Sequence, residues 1–372
     1  MDEQAKPVKI VTQNVGNPDA RFIATYEKLG GYKSLRKAIR MKPEEIIEEV
    51  KKANLRGRGG AGFPAGIKWG FIPKGAETVY LVVNYDEGEP GTFKDKTIAG
   101  DDPHRLIEGI CIASLAIGAH HAFIYIRGEL VEHAKILEDA IEEAYDKRVI
   151  GKTMFGKAWP MDIVVHRGAG AYICGEETSL LNSLEGKRGW PRLKPPFPAV
   201  KGAFGQPTIV NNVETLMNVP TIIEKGGQWF ADLGAPGDGG TRCVAISGHV
   251  KLPGVYEVPV GTSLKDIIYK TAGGMRGAAK LKAVIPGGSS TPVLTADEID
   301  TAFAASMNSD ENIAPVEVLP GQNFDAGFRD KEGNVLPLRS MPGSGAIIVM
   351  EEGTDMVEVC ARLMRFYAHE SC

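Results

Sequence analysis

The stretch Thr78-Val-Tyr-Leu-Val-Val-Asn84 decides the fold, because it is an apolar run with the length and composition of a buried strand. A helical pattern follows from Pro103 to Gly118, and a second apolar run extends from His121 to Arg127. Another helical pattern, Glu129 to Ala144, and a third apolar run, Met161 to His166, continue the alternation. Strands that alternate with helices are typical of a parallel sheet with helices on its faces. The predicted fold class is therefore α/β.

The pattern changes on either side of this unit. A helix is predicted from Leu35 to Lys51, where apolar residues form a stripe among charges. From Thr241 onward, short strands and turns predict a small α+β domain. The polar stretch from Asn308 to Pro342 has little periodicity. The chain then ends on a predicted strand, Ala346 to Met350, and a predicted helix, Thr354 to Ala368.

Composition and charge limit the classes of function. The 372 residues carry a net charge of −4 with acidic and basic residues interspersed, which indicates neither nucleic acid nor an anionic membrane surface as the main partner. No apolar run approaches the roughly 20 residues that span a bilayer, and the start has no leader pattern. Five cysteines, an odd number and far apart, argue against a disulfide framework. We expect a cytoplasmic protein, peripheral to a larger assembly.

A glycine-rich loop precedes the first strand and reads Asn54-Leu-Arg-Gly-Arg-Gly-Gly-Ala-Gly-Phe-Pro-Ala-Gly-Ile-Lys68. Glycines allow backbone N–H groups to converge on an anion, and Arg56, Arg58 and Lys68 add positive charge. The loop lacks the Gly-Lys-Ser/Thr ending of the best-known phosphate loop. It predicts either a phosphate cradle or a mobile basic linker.

An acidic turn, Asn84-Tyr-Asp-Glu-Gly-Glu-Pro-Gly91, comes directly after the first strand, at the edge of a parallel sheet where ligands bind. Its carboxylates could bind a metal, accept hydrogen bonds from ribose hydroxyls or ring N–H groups, or be solvated, which is the usual state of a charged turn. The flanking asparagine and glycines favour a ligand. A metal is disfavoured, since no nearby histidine or second acidic set supplies further ligands.

A second polar turn, Gly168-Ala-Gly-Ala-Tyr-Ile-Cys-Gly-Glu-Glu-Thr-Ser179, lies between a strand and a helix, so its N–H groups face the same crevice. Glu176 and Glu177 could contact a ligand there, or could simply complement the helix dipole. Cys174 is more typical of a small buried thiol than of a nucleophile, because no partner histidine is evident.

Two further stretches add groups to this crevice. The loop from Gly186 to Gly205 is either a structured functional loop or a linker, and it carries Lys194 and Phe197. The polar turn Asn211-Asn-Val-Glu-Thr215 opens a helix. Basic, aromatic, amide and carboxylate groups on several loops suit a bulky ligand with rings and phosphates.

Five of these stretches together resemble one family. They are Leu55-Arg-Gly-Arg-Gly-Gly-Ala-Gly-Phe-Pro64, Asn84-Tyr-Asp-Glu-Gly-Glu-Pro-Gly91, Gly170-Ala-Tyr-Ile-Cys-Gly-Glu-Glu-Thr178, Lys194-Pro-Pro-Phe-Pro198 and Asn211-Asn-Val-Glu-Thr215. In this order they resemble the NADH-binding flavoprotein subunit of respiratory complex I, a family shared with the diaphorase subunits of NAD-linked hydrogenases and formate dehydrogenases. The resemblance extends from about Leu35 to Cys372.

The resemblance implies a fold and an activity. The expected architecture is a Rossmann-like domain that holds FMN and NADH in one cavity, then a small ubiquitin-like domain, then a helical bundle with a [4Fe-4S] cluster. We place these domains at residues 1–240, 241–335 and 336–372. The implied reaction is hydride transfer from NADH to FMN, followed by single-electron transfer to iron–sulfur clusters and on toward quinone.

The resemblance also assigns residues to each cofactor. The residues expected to hold FMN are Gly57, Arg58, Gly59, Gly60, Lys68, Asn84, Asp86, Tyr172, Glu176, Asn211, Asn212 and Thr215. Those expected to hold NADH, with aromatic faces for adenine, are Phe63, Phe71, Glu89, Glu177, Lys194 and Phe197. A carboxylate near the adenosine ribose would repel the 2′-phosphate of NADPH. Glu87, next to the flavin ring, is the candidate for tuning flavin charge.

The chain departs from the family at its end. The family's cluster motif begins Glu-Ser-Cys-Gly and continues with further cysteines, whereas this sequence stops at Cys372, the first ligand of an incomplete [4Fe-4S] set. A shortened sequence is the favoured explanation over a natural lack of the cluster. The expected partners are NADH, a thioredoxin-like [2Fe-2S] subunit and a larger iron–sulfur subunit, at the cytoplasmic face of the inner membrane.

Two other functions stay open at this point. The chain could be the diaphorase subunit of an NAD-linked hydrogenase or formate dehydrogenase, or a non-catalytic binding subunit. The complex I type is favoured because no thioredoxin-like or ferredoxin-like extension precedes the flavin domain.

Overall fold

The computed structural model describes residues 8–299 and 342–372, together with the short strands Phe328–Arg329 and Val335–Leu336. The first domain is built on the strands β1 (Tyr80–Tyr85), β2 (His121–Ile126), β3 (Asp162–Arg167) and β4 (Thr208–Asn212). They form a parallel sheet in the order β3-β2-β1-β4, which confirms the α/β prediction. The sequence did not predict β4, because its apolar part is only Ile209 and Val210.

Short helices precede the sheet. They are α1 (Ile23–Lys28), α2 (Lys33–Ala38), α3 (Pro43–Lys52) and α4 (Ala65–Trp69). The single helix predicted over 35–51 is wrong, because the chain is extended at Lys42 (φ −79°, ψ 151°), as expected before the ring of Pro43. Pro43 then begins α3, where its missing N–H has no helical partner to lose. The predicted apolar stripe is nevertheless correct, since Leu35, Ile46 and Val50 are buried.

The remaining helices of the first domain pack around the sheet. They are α5 (Lys94–Asp101), α6 (Pro103–Ile117), α7 (Val131–Asp146), α8 (Glu177–Leu184), α9 (Val213–Lys225) and α10 (Gly227–Asp232). Helix α6 is buried along its whole length and packs on α9. A Cβ at Gly109 would lie 2.2 Å from the carbonyl oxygen of Leu216, so only glycine permits this approach of the two helices.

The second domain is built on a mixed sheet. Its elements are β5 (Thr241–Gly248), β6 (Gly254–Pro259), α11 (Leu264–Asp266), β7 (Leu281–Ile285), β8 (Leu294–Thr295) and β11 (Ala346–Glu351). The strands β9 (Phe328–Arg329) and β10 (Val335–Leu336) precede β11 in the chain and pair only with each other. The strand order is β6-β5-β11-β7-β8. The domain boundary predicted at 336 assigned β11 to the following domain, whereas the structure places it in the middle of the second sheet. Apart from β9 and β10, the polar stretch over 308–341 lies outside the described residues.

A buried carboxylate joins the N-terminal segment to the second sheet. Glu257 accepts hydrogen bonds from the backbone N–H groups of Ile10, Val11 and Thr12 at 2.9, 3.2 and 2.9 Å. The hydroxyls of Thr12 and Thr241 donate to the same carboxylate. Because the interaction links residues more than 240 positions apart, it fastens the two domains to each other.

The C-terminal helix α12 (Met356–Glu370) follows the second sheet. Its Met356, Val359 and Leu363 pack against Ile285 and Met350 of that sheet. The helix predicted over 354–368 is therefore confirmed to within two residues.

Candidate functional site

A cavity of about 450 Å³ lies at the carboxyl ends of β1 and β4, the edge where a parallel sheet binds its ligands. The predicted residues that line it are Gly59, Gly60, Asn84, Asp86, Glu87, Glu89, Tyr172, Glu176 and Asn212. Those that the structure leaves outside the lining are Gly57, Arg58, Phe63, Lys68, Phe71, Glu177, Lys194, Phe197, Asn211, Thr215 and Cys372. The glycine-rich loop and both polar turns therefore meet in one place.

The glycine-rich loop offers unpaired donors to this cavity. Gly59, Gly60 and Ala61 line the cavity, and their backbone N–H groups donate to no acceptor among the residues that the structure describes. A Cβ at Gly59 would lie 3.0 Å from that of Asn212, and Gly60 has a φ of 146° with open space beside it. The loop therefore needs glycine to lie against the start of α9, whose positive end faces the same side. Converging amides at a helix start suit a phosphate.

Arg58 does not direct its charge at the cavity. Its guanidinium is buried, with Nη1 2.6 Å from an oxygen of Asp238 and Nη2 2.7 Å from the carbonyl of Gly239. Its backbone N–H donates to the hydroxyl of Thr215 at 2.9 Å. Both Arg58 and Thr215 thus fix the conformation of the loop, and the geometry gives no support to an Arg58 charge on the phosphate.

The acidic turn presents carboxyls in a desolvated setting. Burial raises the pKa of Asp86 to about 7, against a smaller opposing effect of Arg127. No hydrogen bond reaches the Asp86 carboxylate from the described part of the chain. Burial and the charge of Asp95 raise the pKa of Glu87 to about 7, although Glu87 accepts the N–H groups of Asp95 and Lys96 at 2.7 and 3.0 Å. Glu87 therefore caps α5 beside the cavity.

A buried ionic cluster that the sequence analysis missed borders the cavity beside Glu87. The Lys94 ammonium lies 2.8 Å from Asp95 and 2.7 Å from Glu214. Burial alone would lower the pKa of Lys94, but these carboxylates raise it. Asp95 also accepts a hydrogen bond from the Asn212 amide at 2.7 Å. The pattern Phe-Lys-Asp after the acidic turn could have suggested this cluster, but its third member is distant in sequence.

Other predicted ligand residues hold the loops together. The Asn84 amide donates to the carbonyl of Gly175 at 2.7 Å, which joins the two polar turns. Glu176 caps α8 by accepting the N–H groups of Thr178 and Ser179 at 2.8 and 2.9 Å. Asn211 accepts a hydrogen bond from the indole of Trp69 at 2.8 Å. These side chains shape the site whether or not they touch a ligand.

Lys68, Glu177 and Lys194 form a partly exposed cluster. The Lys68 ammonium lies 2.9 Å from Glu177, and Lys194 lies 2.8 Å from its other oxygen and 3.3 Å from Glu176. Burial opposes ionisation of Glu177, yet Lys68 and Lys194 lower its pKa. The structure thus pairs the lysine assigned to FMN with the carboxylate assigned to NADH.

The predicted aromatic residues lie at the surface. Phe63 and Phe71 form a pair with ring centroids 5.9 Å apart, and about half of each side chain is exposed. Phe197 is also exposed and, among the described rings, pairs with neither of them. Exposed aromatic faces can stack on a flat ligand.

The second domain forms part of the cavity wall, which the sequence did not reveal. Ser290, Thr291, Gly343 and Ser344 line it. Glu89 accepts a hydrogen bond from the backbone N–H of Ser290 at 2.8 Å. These small residues lack any motif, so no sequence signal would have found them.

The cysteines show no assembled metal centre within the described ranges. Cys111, Cys174 and Cys243 are buried, whereas Cys360 and Cys372 are exposed. No three histidine, cysteine or acidic side chains are grouped to hold a metal in the described part of the chain. Cys372 as a first cluster ligand stays a prediction. None of the described helices combines the length and the apolar character needed to cross a bilayer.

The fold and the site define an α/β protein whose cavity suits a ligand with a phosphate, and comparison with known proteins agrees. Residues 50–221 match the Nuo51 FMN-binding domain, and residues 242–312 match the SLBB domain. The chain is 46% identical over 365 residues to the F 2 subunit of NADH-quinone oxidoreductase from Rhizobium meliloti (strain 1021), covering 98% of this chain and 80% of that protein. It is also 46% identical to the F subunit of the same enzyme from Aquifex aeolicus (strain VF5), with 98% and 78% covered.

The chain therefore belongs to the family of NADH-quinone oxidoreductase F subunits, which confirms the predicted family and its FMN-binding domain. An NAD+-reducing [NiFe]-hydrogenase in the air-oxidised state shares the fold, with a TM-score of 0.74 and 34% identity. The match covers 98% of this chain and 54% of the hydrogenase chain, so this chain spans about half the length of that one.

Proposed function

We propose that this chain binds FMN and NADH in the cavity and passes hydride from NADH to FMN as the flavoprotein subunit of an NADH-quinone oxidoreductase. FMN, when bound, supplies the chemistry that accepts a hydride and releases single electrons. The protein supplies binding, orientation and electrostatics. The observation that carries the proposal is the loop 59–61, which lines the cavity together with Asn212 at the start of α9 and whose backbone N–H groups have no acceptor among the described residues.

The residues of the cavity fit FMN. The amides of 59–61 provide donors for its phosphate without any help from the buried Arg58 side chain. The Asp86 carboxylate, which accepts no hydrogen bond from the described residues, can accept from the ribityl hydroxyls. Such bonds would replace the water that burial removes, and they would favour the ionised form of Asp86.

The partly exposed cluster fits the dinucleotide. Lys68 and Lys194 provide positive charge for a pyrophosphate, and Glu177 between them provides an acceptor for ribose hydroxyls. Phe63, Phe71 and, further along the chain, Phe197 offer exposed faces for adenine. Glu87, which caps α5 and lines the cavity, would influence the charge of the flavin ring.

The experiment is a loading test with a matched pair of glycine variants. Gly59→Val should abolish most FMN binding, because its side chain would enter the space held by Asn212. Gly353→Val is the control, since a Cβ there meets nothing within 4 Å. Flavin absorbance after reconstitution and NADH-driven dye reduction are measured. A wild-type protein that takes up no FMN would refute the proposal, and equal FMN uptake by both variants would refute the role of the loop.

Electron release and assembly extend the proposal. Electrons would pass one at a time to iron–sulfur partners, a thioredoxin-like [2Fe-2S] subunit and a larger iron–sulfur subunit, on the cytoplasmic side of a membrane. Membership of the NADH-quinone oxidoreductase family supports this view. A diaphorase subunit of an NAD-linked hydrogenase is the second candidate, which the hydrogenase match supports. Co-purification of the native protein with a quinone-reducing or a hydrogen-oxidising activity distinguishes them.

A further inference from the structure

The turn Tyr172–Gly175 is part of the cavity wall and connects to other parts of the site. Tyr172 and Gly175 themselves line the cavity. The carbonyl of Gly175 accepts a hydrogen bond from the Asn84 amide at 2.7 Å, and the Tyr172 hydroxyl donates to Glu89. A shift of this turn would therefore change the shape of the cavity on two sides.

The first backbone N–H of this turn is held by the C-terminal helix. The turn is a single turn of 3-10 helix, so the N–H of Tyr172 has no acceptor within it. Ala171, which precedes the turn, has no side chain that could cap it. The Glu370 carboxylate on α12 accepts this N–H at 3.1 Å, across 198 positions of sequence. Glu370 thus caps a turn of the first domain from the C-terminal helix.

Ring contacts hold α12 beside the same turn. The Phe366 ring packs edge-on against the Tyr172 ring, with centroids 5.1 Å apart, and the centroid of the Tyr367 ring lies 6.4 Å from that of Tyr172. The Tyr367 hydroxyl lies 2.8 Å from the hydroxyl of Ser289 in the second domain. These contacts place the last turn of α12 where Glu370 reaches the Tyr172 N–H.

A second glutamate on α12 makes a contact of a different kind. The Glu358 carboxylate lies 2.7 Å from the Arg362 guanidinium on its own helix, and both side chains are exposed. Exposed pairs of this kind contribute little to stability. Glu358 and Glu370 therefore form a matched pair on one helix, the first in contact with the helix itself and the second in contact with the cavity wall.

We propose that Glu370 is a positioning residue for FMN, because it holds the turn Tyr172–Gly175 in the place where this turn lines the cavity. This inference rests on the proposed function. Glu370 acts through the backbone of Tyr172 and needs no contact with the ligand. Without this acceptor the turn gains other conformations, so only a fraction of the molecules is ready to bind and the apparent affinity for FMN falls by that fraction.

The test measures FMN binding to the cofactor-free full chain by the quenching of flavin fluorescence. Glu370→Ala removes the acceptor and should weaken FMN binding about five- to tenfold, as expected for the loss of a hydrogen bond to a charged group. Glu370→Gln keeps an oxygen acceptor and should weaken binding less than about threefold. Glu358→Ala is the control and should bind FMN like the wild type.

Hydrogen exchange of the Tyr172 amide shows where the effect arises. Without FMN, this amide should exchange faster in Glu370→Ala than in the wild type, whereas the amides of β1 should keep their wild-type rates. Wild-type FMN affinity in Glu370→Ala, or an equal loss in Glu370→Gln or Glu358→Ala, would overturn the positioning role and leave the proposed function standing. Faster exchange throughout β1 would do the same. Absence of FMN binding by the wild type would overturn both.

Discussion

Two groups of charged residues near the glycine-rich loop differ in how they are held. Behind the loop, Arg58 and Asp238 are almost fully buried and lie 2.6 Å apart. Beside the cavity, the ammonium groups of Lys68 and Lys194 lie 2.9 and 2.8 Å from the Glu177 carboxylate, but the side chains of Lys68, Glu177 and Lys194 keep 24, 22 and 31% of their surface exposed.

The difference separates scaffold from site. A buried ion pair cannot exchange partners, because removing either member leaves a charge out of water. Partly exposed charged groups can exchange partners at a small cost in free energy, since water replaces each lost contact. The buried pair therefore fixes the shape of the loop. The exposed cluster is available to a ligand, as is the Asp86 carboxylate, which accepts no hydrogen bond from the described part of the chain.

The largest expected effect tests the scaffold side of this comparison. Arg58→Ala should lower the free energy of unfolding by about 3 to 5 kcal/mol, because the Asp238 carboxylate stays buried without this guanidinium. Lys194→Ala should change it by less than about 1 kcal/mol. Urea unfolding of both variants measures the difference. Similar values for the two variants would break the comparison.

The next effect concerns pH and the Asp86 carboxyl. The folded protein keeps a proton on Asp86 up to about pH 7, whereas the unfolded chain, in which Asp86 has the usual pKa of 3.8, already loses this proton near pH 4. Stability of the cofactor-free protein should therefore fall by about 2 to 4 kcal/mol as pH rises from about 4 to about 7. Asp86→Asn should remove this part of the slope, and the exposed Asp139→Asn should not. Equal slopes in urea titrations would contradict the assignment.

A smaller effect tests the site side. Glu177→Gln should lower the ratio of kcat/KM for NADH over NADPH about tenfold, because it removes a negative charge that repels the 2′-phosphate. Steady-state dye reduction with both nucleotides measures the ratio. Glu358→Gln, an exposed position on α12, serves as control. An unchanged ratio in Glu177→Gln would remove Glu177 from the nucleotide site.

The smallest expected effect tests whether Lys68 and Glu177 are paired in solution. Lys68→Met should change the free energy of unfolding by less than about 1 kcal/mol, as expected for a partly exposed pair. It should nevertheless raise the pKa of Glu177, because Lys68 is the main charge that lowers it. A carbon-13 NMR titration of the glutamate carboxyls measures this shift. If the Glu177 pKa stays where it is, the two side chains are not paired in solution.

Sequence patterns were sufficient for most of the first domain. The apolar runs predicted β1, β2 and β3 to within two residues, because buried strands need continuous apolar stretches. The prediction of one helix over 35–51 was wrong at Pro43. A proline disfavours the helical conformation of the residue before it, so the sequence alone could have predicted this break. Strand β11 was found, but its place between β5 and β7 was not, since strand pairing depends on segments distant in sequence.

Part of the candidate site, like part of the fold, was predictable from the sequence. Glycines and polar turns after strands are signals in the sequence, so residues such as Gly59, Asp86 and Asn212 were predicted and lie together around the cavity. Their individual roles stay predictions. The orientation of Arg58 and the hydrogen bond from Ser290 to Glu89 could not be predicted, because no sequence motif links either residue to its partner.

By itself the sequence determined the parallel sheet, the glycine-rich loop, the polar turns and the family, because each depends on residues close together in the chain. Only the tertiary structure decided which charges are fixed and which are available. The Arg58 and Asp238 pair joins positions 180 residues apart, and Glu89 meets Ser290 across 201 residues. Burial and pairing across such separations follow from packing, so the choice between a scaffold charge and a site charge is made by the fold.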